Sequence, residues 1–220
     1  MGFPNVDLIL RDLFLADFQA TKTTPEFAVA DLFDDRSEEE QAEIVEYLIS
    51  RRFTGSVQDR GDDRRVFILP HFPVSDLPFP QIGIYSGEVD GLDRLLGDYS
   101  GESEAVKNED GEVIGWAQIK GYWEVSSWNI DVVTATKDEA IWLARLCQYF
   151  ICQSFQPLTE KGILEIDVMM TDLRPEKSTL QPLQYFVRGL KVRAKVANTW
   201  KKRLPVSYYE TGVNLALTTP

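Results

Sequence analysis

Between Val6 and Phe18 the apolar residues fall at 6, 9, 10, 13 and 14, which predicts an amphipathic N-terminal helix ended by Thr21-Lys-Thr-Thr-Pro25. Phe27 to Phe33 is expected to be a short extended segment. Ser37-Glu-Glu-Glu40 has the spacing of a capping box and opens a second helix, with Ile44, Val45, Leu48 and Ile49 as its buried stripe and Arg51 and Arg52 at its end. The pattern then turns to strands, Phe53 to Gln58 and Val66 to Leu69, on either side of a charged turn from Asp59 to Arg65. A proline-punctuated loop follows, then a strand at Ile82 to Tyr85 and a hairpin turn at Asn108-Glu-Asp-Gly111. In the long strand after that turn, apolar residues sit on odd numbers at Ala117, Ile119, Trp123 and Val125, then on even numbers at Trp128, Ile130 and Val132. Side chains alternate with period two, so the change of parity predicts a β-bulge or break at Ser126-Ser127.

Strand, helix, strand from Tyr122 to Leu173 forms the centre of the chain. Thr136-Lys-Asp-Glu139 has capping-box spacing and starts a helix running from Lys137 to about Phe155. Nearly every residue from Ala140 to Ile151 is apolar, so this helix expects cover on several sides. Its own sheet supplies one side, and a neighbouring subunit is a candidate for the other, which makes Trp142, Leu146 and Tyr149 candidate interface residues. Ile163 to Met170 alternates as a strand with Glu165 and Asp167 outward, and a polar loop from Thr171 to Gln184 follows. Tyr185 to Val196 places Phe186, Leu190, Val192, Ala194 and Val196 on one face and Lys191, Arg193 and Lys195 on the other. Trp200 to Tyr209 is expected to add a final short strand. The whole predicts an α/β (α+β) fold: a mixed, mostly antiparallel sheet packed against a long central helix (residues 61–220), with an N-terminal helical extension (residues 1–60) packed on the core.

Charge changes the picture because it is unevenly placed. Residues 1–112 carry 25 acidic and 10 basic side chains, a net of −15, and residues 113–220 carry 10 and 13, a net of +3. The overall −12 disfavours non-specific binding of nucleic acid. The asymmetry fits a solvated acidic half, or a head-to-tail contact in which the stripe of Lys191, Arg193 and Lys195 meets the acidic half of a neighbour. No apolar run approaches the length of a membrane span, and the first residues lack a basic leader. Cys147 and Cys152 lie five apart on one helix, ~8 Å between Cα atoms, too far for a disulfide within the chain. With one histidine, His71, and no phosphate loop or nucleophile elbow, neither a cofactor nor a hydrolytic triad is expected. The enzymatic alternative is a metal-dependent nuclease with Asp131, Glu165 and Asp167 from neighbouring strands as ligands and Lys161 or Lys177 as the cation.

Pro80-Gln-Ile-Gly-Ile84, the Leu96-Gly-Asp98 tag, a long hairpin, Ile130-Asp-Val-Val-Thr134 running into Glu139-Ala-x-x-Leu143, Ile163 to Asp172 and a closing strand follow in that order. This order, from Val66 to Tyr209, resembles the neck and tail-terminator proteins of tailed bacteriophages. The resemblance implies a virion subunit, without catalytic residues, cofactor or metal, that forms a ring, typically a hexamer. Such a ring caps the tail tube, joins it to the head, contacts other neck proteins and possible sheath, and lets DNA pass without specific binding. The first 60 residues depart from the shorter members, so a head-completion connector is the alternative station. Acids such as Asp90, Asp93, Asp98 and Glu102 then become candidates for lining the lumen, where negative charge repels phosphates.

Overall fold

A computed structural model describes residues 4–58, 64–73, 77–87, 95–96, 103–172, 174–177 and 184–205. Helix α1, Val6–Thr21, is capped by Asn5, whose Oδ1 accepts from the Leu8 amide at 3.3 Å. Its buried residues Val6, Leu10, Phe14 and Phe18 recur every fourth position and form one stripe. The stretch expected to be extended is instead helix α2, Pro25–Leu32. Pro25 stands in its first turn, where a missing N–H costs nothing, and Ala28 and Val29 are buried. Helix α3, Glu38–Ser50, begins with the expected capping box: Ser37 Oγ accepts from the Glu40 amide and Glu40 Oε2 from the Ser37 amide, both at 3.2 Å.

Nine strands form one sheet among the described residues: β1 Arg52–Thr54, β2 Arg65–Leu69, β3 Gln81–Ser86, β4 Leu95–Leu96, β5 Ser103–Lys107, β6 Val113–Thr134, β7 Ile163–Met170, β8 Arg174–Lys177 and β9 Gln184–Pro205. The main order is β1-β2-β3-β6-β9-β7, with β4 and β5 on β6 and β8 on β9. Only the β1–β2 and β2–β3 pairs are parallel. β2 therefore runs in the same direction as β1, and the two do not form a hairpin. Between β5 and β6 the expected hairpin is present: Asn108 Oδ1 accepts from the Glu112 amide at 2.8 Å, and Gly111 takes φ +84°.

Register sets the core. Ile68, Ile82, Val132 and Arg188 stand side by side, as do Ile84, Ile130 and Leu190 on the same side of the sheet. The apolar members, with Val66, Trp128, Val192, Ala194 and Val196, are buried under the helices. The bulge expected at Ser126-Ser127 is not there: β6 and β9 keep one register through all twenty positions from Gly115 opposite Pro205 to Thr134 opposite Phe186. Parity changes because a different face is covered, while the pleat runs on unbroken; Ala117 is buried on the odd side and Trp128 on the even side. Register shifts occur elsewhere, in β5 between Val106 and Lys107 and in β7 between Leu164 and Asp167, where Glu165 takes φ 49°. The separate last strand expected near Trp200 is simply the continuation of β9.

Helix α4, Lys137–Gln153, and the short α5, Phe155–Glu160, cross this face. Thr136 Oγ1 accepts from the Glu139 amide at 3.4 Å, but Glu139 does not complete the box; its carboxylate pairs with Arg51. The N-terminal helices and the sheet share one core cluster, with Phe14, Phe18, Ile44 and Leu48 beside Leu143, Leu146 and Phe150. The second cover sought for α4 thus comes from the chain's own first fifty residues.

Candidate functional site

The three candidate interface residues on α4 have partners within the chain. Leu146 is 0% exposed, so it presents nothing to a neighbour and is corrected to a core residue. Trp142 packs edge-on against Tyr47 of α3, ring centroids 5.8 Å apart, and Tyr149 donates to Asp31 of α2 at 3.5 Å. Between them Arg145 donates to the Leu32 carbonyl at 3.3 Å and to Asp35 at 3.1 Å, while its guanidinium lies over the Phe33 ring. At the start of α4, Arg51 bonds Glu139 at 3.0 Å and covers the face of Tyr47 at 4.8 Å. Burial, then the neighbouring Glu139 charge, pushes the Tyr47 phenol well above its ordinary range. These contacts fasten the helical extension to the domain.

Lys191, Arg193 and Lys195 lie on the sheet face away from the helices, with Asn129, Ser127 and Val125 opposite them on β6 and Met169, Asp167 and Leu164 on β7. Lys195 bonds Glu165 at 2.7 Å, and Asp167 stands opposite Arg193. The stripe is therefore a ladder of both signs rather than a basic patch. Met169, 51% exposed, adds an apolar contact surface beside it. Over β2 and β3 this face is covered by described residues of the proline-rich loop: Leu77 closes over Phe67 and Leu69, and Gln81 donates to the Leu77 carbonyl at 2.9 Å. Gly83 permits the approach, since a Cβ there would stand 2.6 Å from Pro73 Cδ and 2.8 Å from the His71 carbonyl. Phe72 stacks on Tyr85 at 3.7 Å, and Tyr85 donates to Asp131 at 2.6 Å. Burial and that carboxylate raise the Tyr85 phenol.

The carboxylates of the nuclease alternative are not brought together. Asp131 lies on β6 beside Gly189, whereas Glu165 and Asp167 lie on β7 with β9 between. Among the described residues no group of three or more His, Cys, Asp or Glu side chains is placed to hold a metal ion. Lys161 is exposed after α5, and Lys177 is in β8. Asp90, Asp93, Asp98 and Glu102 lie outside the described residues. His71 is exposed with Nδ1 2.7 Å from the Phe72 carbonyl, Cys147 is buried, and Cys152 is exposed.

One feature had no signal in the sequence and another only part of one. One is a cleft of about 410 Å³ where the start of α1 meets β3, β6 and β9, lined by Asn5, Asp7, Ser86, Glu124, Ser126 and Trp128 among others. Burial raises the Asp7 carboxyl, and the Trp128 indole partly offsets the rise. The other is the ribbon of β6 and β9. Among the described side chains of β9 the core cluster reaches Val196, and nine further paired positions carry the strand to Pro205. Val113 and Ile114, at the start of β6 beside that far end, are 44% and 55% exposed. No helix among the described residues is long and apolar enough to cross a membrane. The sequence matches no protein-family model, and no curated protein matches it at a significant level.

Proposed function

We propose that this chain is a structural subunit of a ring in the neck of a tailed bacteriophage, a tail terminator that ends the tail tube and joins it to the head. The observation that carries the reading is the length of the β6–β9 ribbon. Twenty paired positions extend roughly 65 Å at the usual rise per residue. A globular domain of 220 residues has a radius of gyration of only ~17 Å. Such a ribbon exceeds what one core can bury, and in a ring its far half lies against neighbours. The order of elements supports the neck assignment, since the hairpin, the strand entering a long helix and the closing strand occur along the chain as the resemblance implies.

In this reading the ring is a hexamer assembled in the host cytoplasm and incorporated into the virion. The outer face with Lys191, Arg193, Lys195 and Met169 is a subunit contact, and Asp90, Asp93, Asp98 and Glu102 face the lumen, where DNA passes without specific binding. Light scattering across protein concentrations tests it: the expected native mass is about six times the 25.1 kDa of one chain. A monomer at every concentration that also fails to bind purified tail tubes refutes it. Binding to capsid portals in place of tubes moves the subunit to the connector station.

A further inference from the structure

Helices α2 and α3 and the turn between them, Pro25 to Ser50, hold nine acidic side chains and one basic, Arg36, a net of −8. Asp31 and Asp35 already meet Tyr149 and Arg145 of α4. Along α3, Glu39, Ala42, Glu43, Glu46 and Ile49 form an exposed stripe. Ile49 is 52% exposed, and Phe27 of α2 is 74% exposed. Lys22 Nζ donates to the Arg51 carbonyl at 2.6 Å and Gln41 to the Phe33 carbonyl at 2.9 Å, so α2 starts beside the end of α3. Phe27 and Ile49 therefore stand at the same end of the helical pair. Apolar side chains inside a charged rim are the anatomy of a protein interface.

The far half of the ribbon has the opposite charge. β6 from Gly115 to Tyr122 is paired with β9 from Asn198 to Pro205, and these positions hold Lys120, Lys201, Lys202 and Arg203 with no acidic residue. On the other edge of β6, β5 adds Glu104 and Lys107, which cancel, and the turn acids Glu109, Asp110 and Glu112 belong to that edge. One chain cannot bring the two surfaces together. Arg51 at the end of α3 bonds Glu139 in the first turn of α4, so Phe27 and Ile49 stand at the end where β6 finishes at Thr134. Lys120 lies 14 positions before Thr134 on the same strand, roughly 45 Å away at strand rise.

We propose that the basic far half of the ribbon of one subunit seats on the acidic α2–α3 surface of a second copy. The proposal rests on the ring reading and names the two surfaces that join its subunits. A subunit acidic at one end and basic at the other makes a head-to-tail contact, the kind that closes rings. The charges set partner and orientation, and Phe27 and Ile49 supply the apolar centre.

Two full-length variants with different affinity tags test it: Glu43→Lys/Glu46→Lys and Lys201→Glu/Lys202→Glu. Each alone sets like charges against each other, and while still melting as a folded protein it is expected to fall from ring mass to the 25.1 kDa of one chain. Mixed one to one, the two are expected to recover ring mass with both tags in the same particle, because every contact again joins opposite charges. Phe27→Ala, a truncation at the surface, is expected to raise the concentration at half-assembly about tenfold. The proposal is overturned if either folded charge variant keeps ring mass alone, if the mixture stays at the mass of one chain, or if Phe27→Ala assembles like the wild type. A wild-type ring with any of these results leaves the ring reading intact. A wild-type monomer at every concentration, with no binding to tail tubes, removes both.

Discussion

Replacing Arg51 by methionine isolates the contact that ties the end of α3 to the start of α4. The Glu139 side chain is 8% exposed and that of Arg51 24%, with 3.0 Å between them. At that separation and an effective dielectric near 20, attraction of the two charges is about 5.5 kcal/mol, largely offset in the wild type by the cost of withdrawing both from water. Removing one partner exposes that cost. In Arg51→Met the carboxylate stays enclosed without its cation, and the expected loss is about 3 kcal/mol. In Glu139→Met the remaining guanidinium reaches solvent more readily, and the expected loss is about 1 kcal/mol. The double variant is expected to lose less than the sum by about 2 kcal/mol, because neither charge is then stranded. Urea unfolding of the four proteins measures all three values, and the Arg51→Met midpoint temperature should fall by roughly 6–12 °C. Equal losses in the single variants, or a double variant equal to their sum, would refute the claim that the enclosed carboxylate dominates this contact.

Asp17 gives a dependence on pH. Burial raises its carboxyl, partly countered by the Ser154 hydroxyl at 3.4 Å, so the folded protein holds the proton more tightly than the unfolded chain. Its contribution to stability is present at acid pH and lost as pH rises through the raised folded value; Asp17→Asn should therefore raise the melting temperature at neutral pH and flatten the profile just above the ordinary carboxylate range. Thermal melts from pH 4 to 8 check this, and an unchanged slope would contradict it. Leu146→Ala should lose about 3 kcal/mol in urea unfolding while leaving the native mass of the still-folded protein unaltered. A drop in mass without a loss of stability would return Leu146 to a subunit contact.

Local signals were legible where a few neighbouring residues decide the outcome. Ser37 and Glu40 fix the start of α3, Asn108 and Gly111 fix a hairpin, and the alternation from Leu190 to Val196 fixes the buried face of β9. Choices made at long range were not. α2 followed from packing of Ala28 and Val29 in the shared helical layer, which outweighed a weak local pattern of eight residues. The apolar girth of α4 was read correctly and a helical extension packed on the core was expected, but not that α1, α2 and α3 would be the second cover of α4. Trp142, Tyr149 and Leu146 were therefore assigned to a neighbour, although Tyr47, Asp31 and the core meet them within the chain. The stripe of Lys191, Arg193 and Lys195 was visible, whereas the bulge that brings Glu165 to Lys195 depends on the pairing of β7 with β9.

The unbroken register of β6 and β9 lets one part of the ladder set the alignment of the rest. A slip of one residue would turn Trp128, Ile130 and Val132 out of the core, so the half that fills the core dictates the alignment of the far half. No extra residue interrupts the β6–β9 ladder to act as a joint, whereas β7 has one at Glu165. β4 and β5, which pair with β6 in its far half, therefore take their positions from a register that the core residues fix.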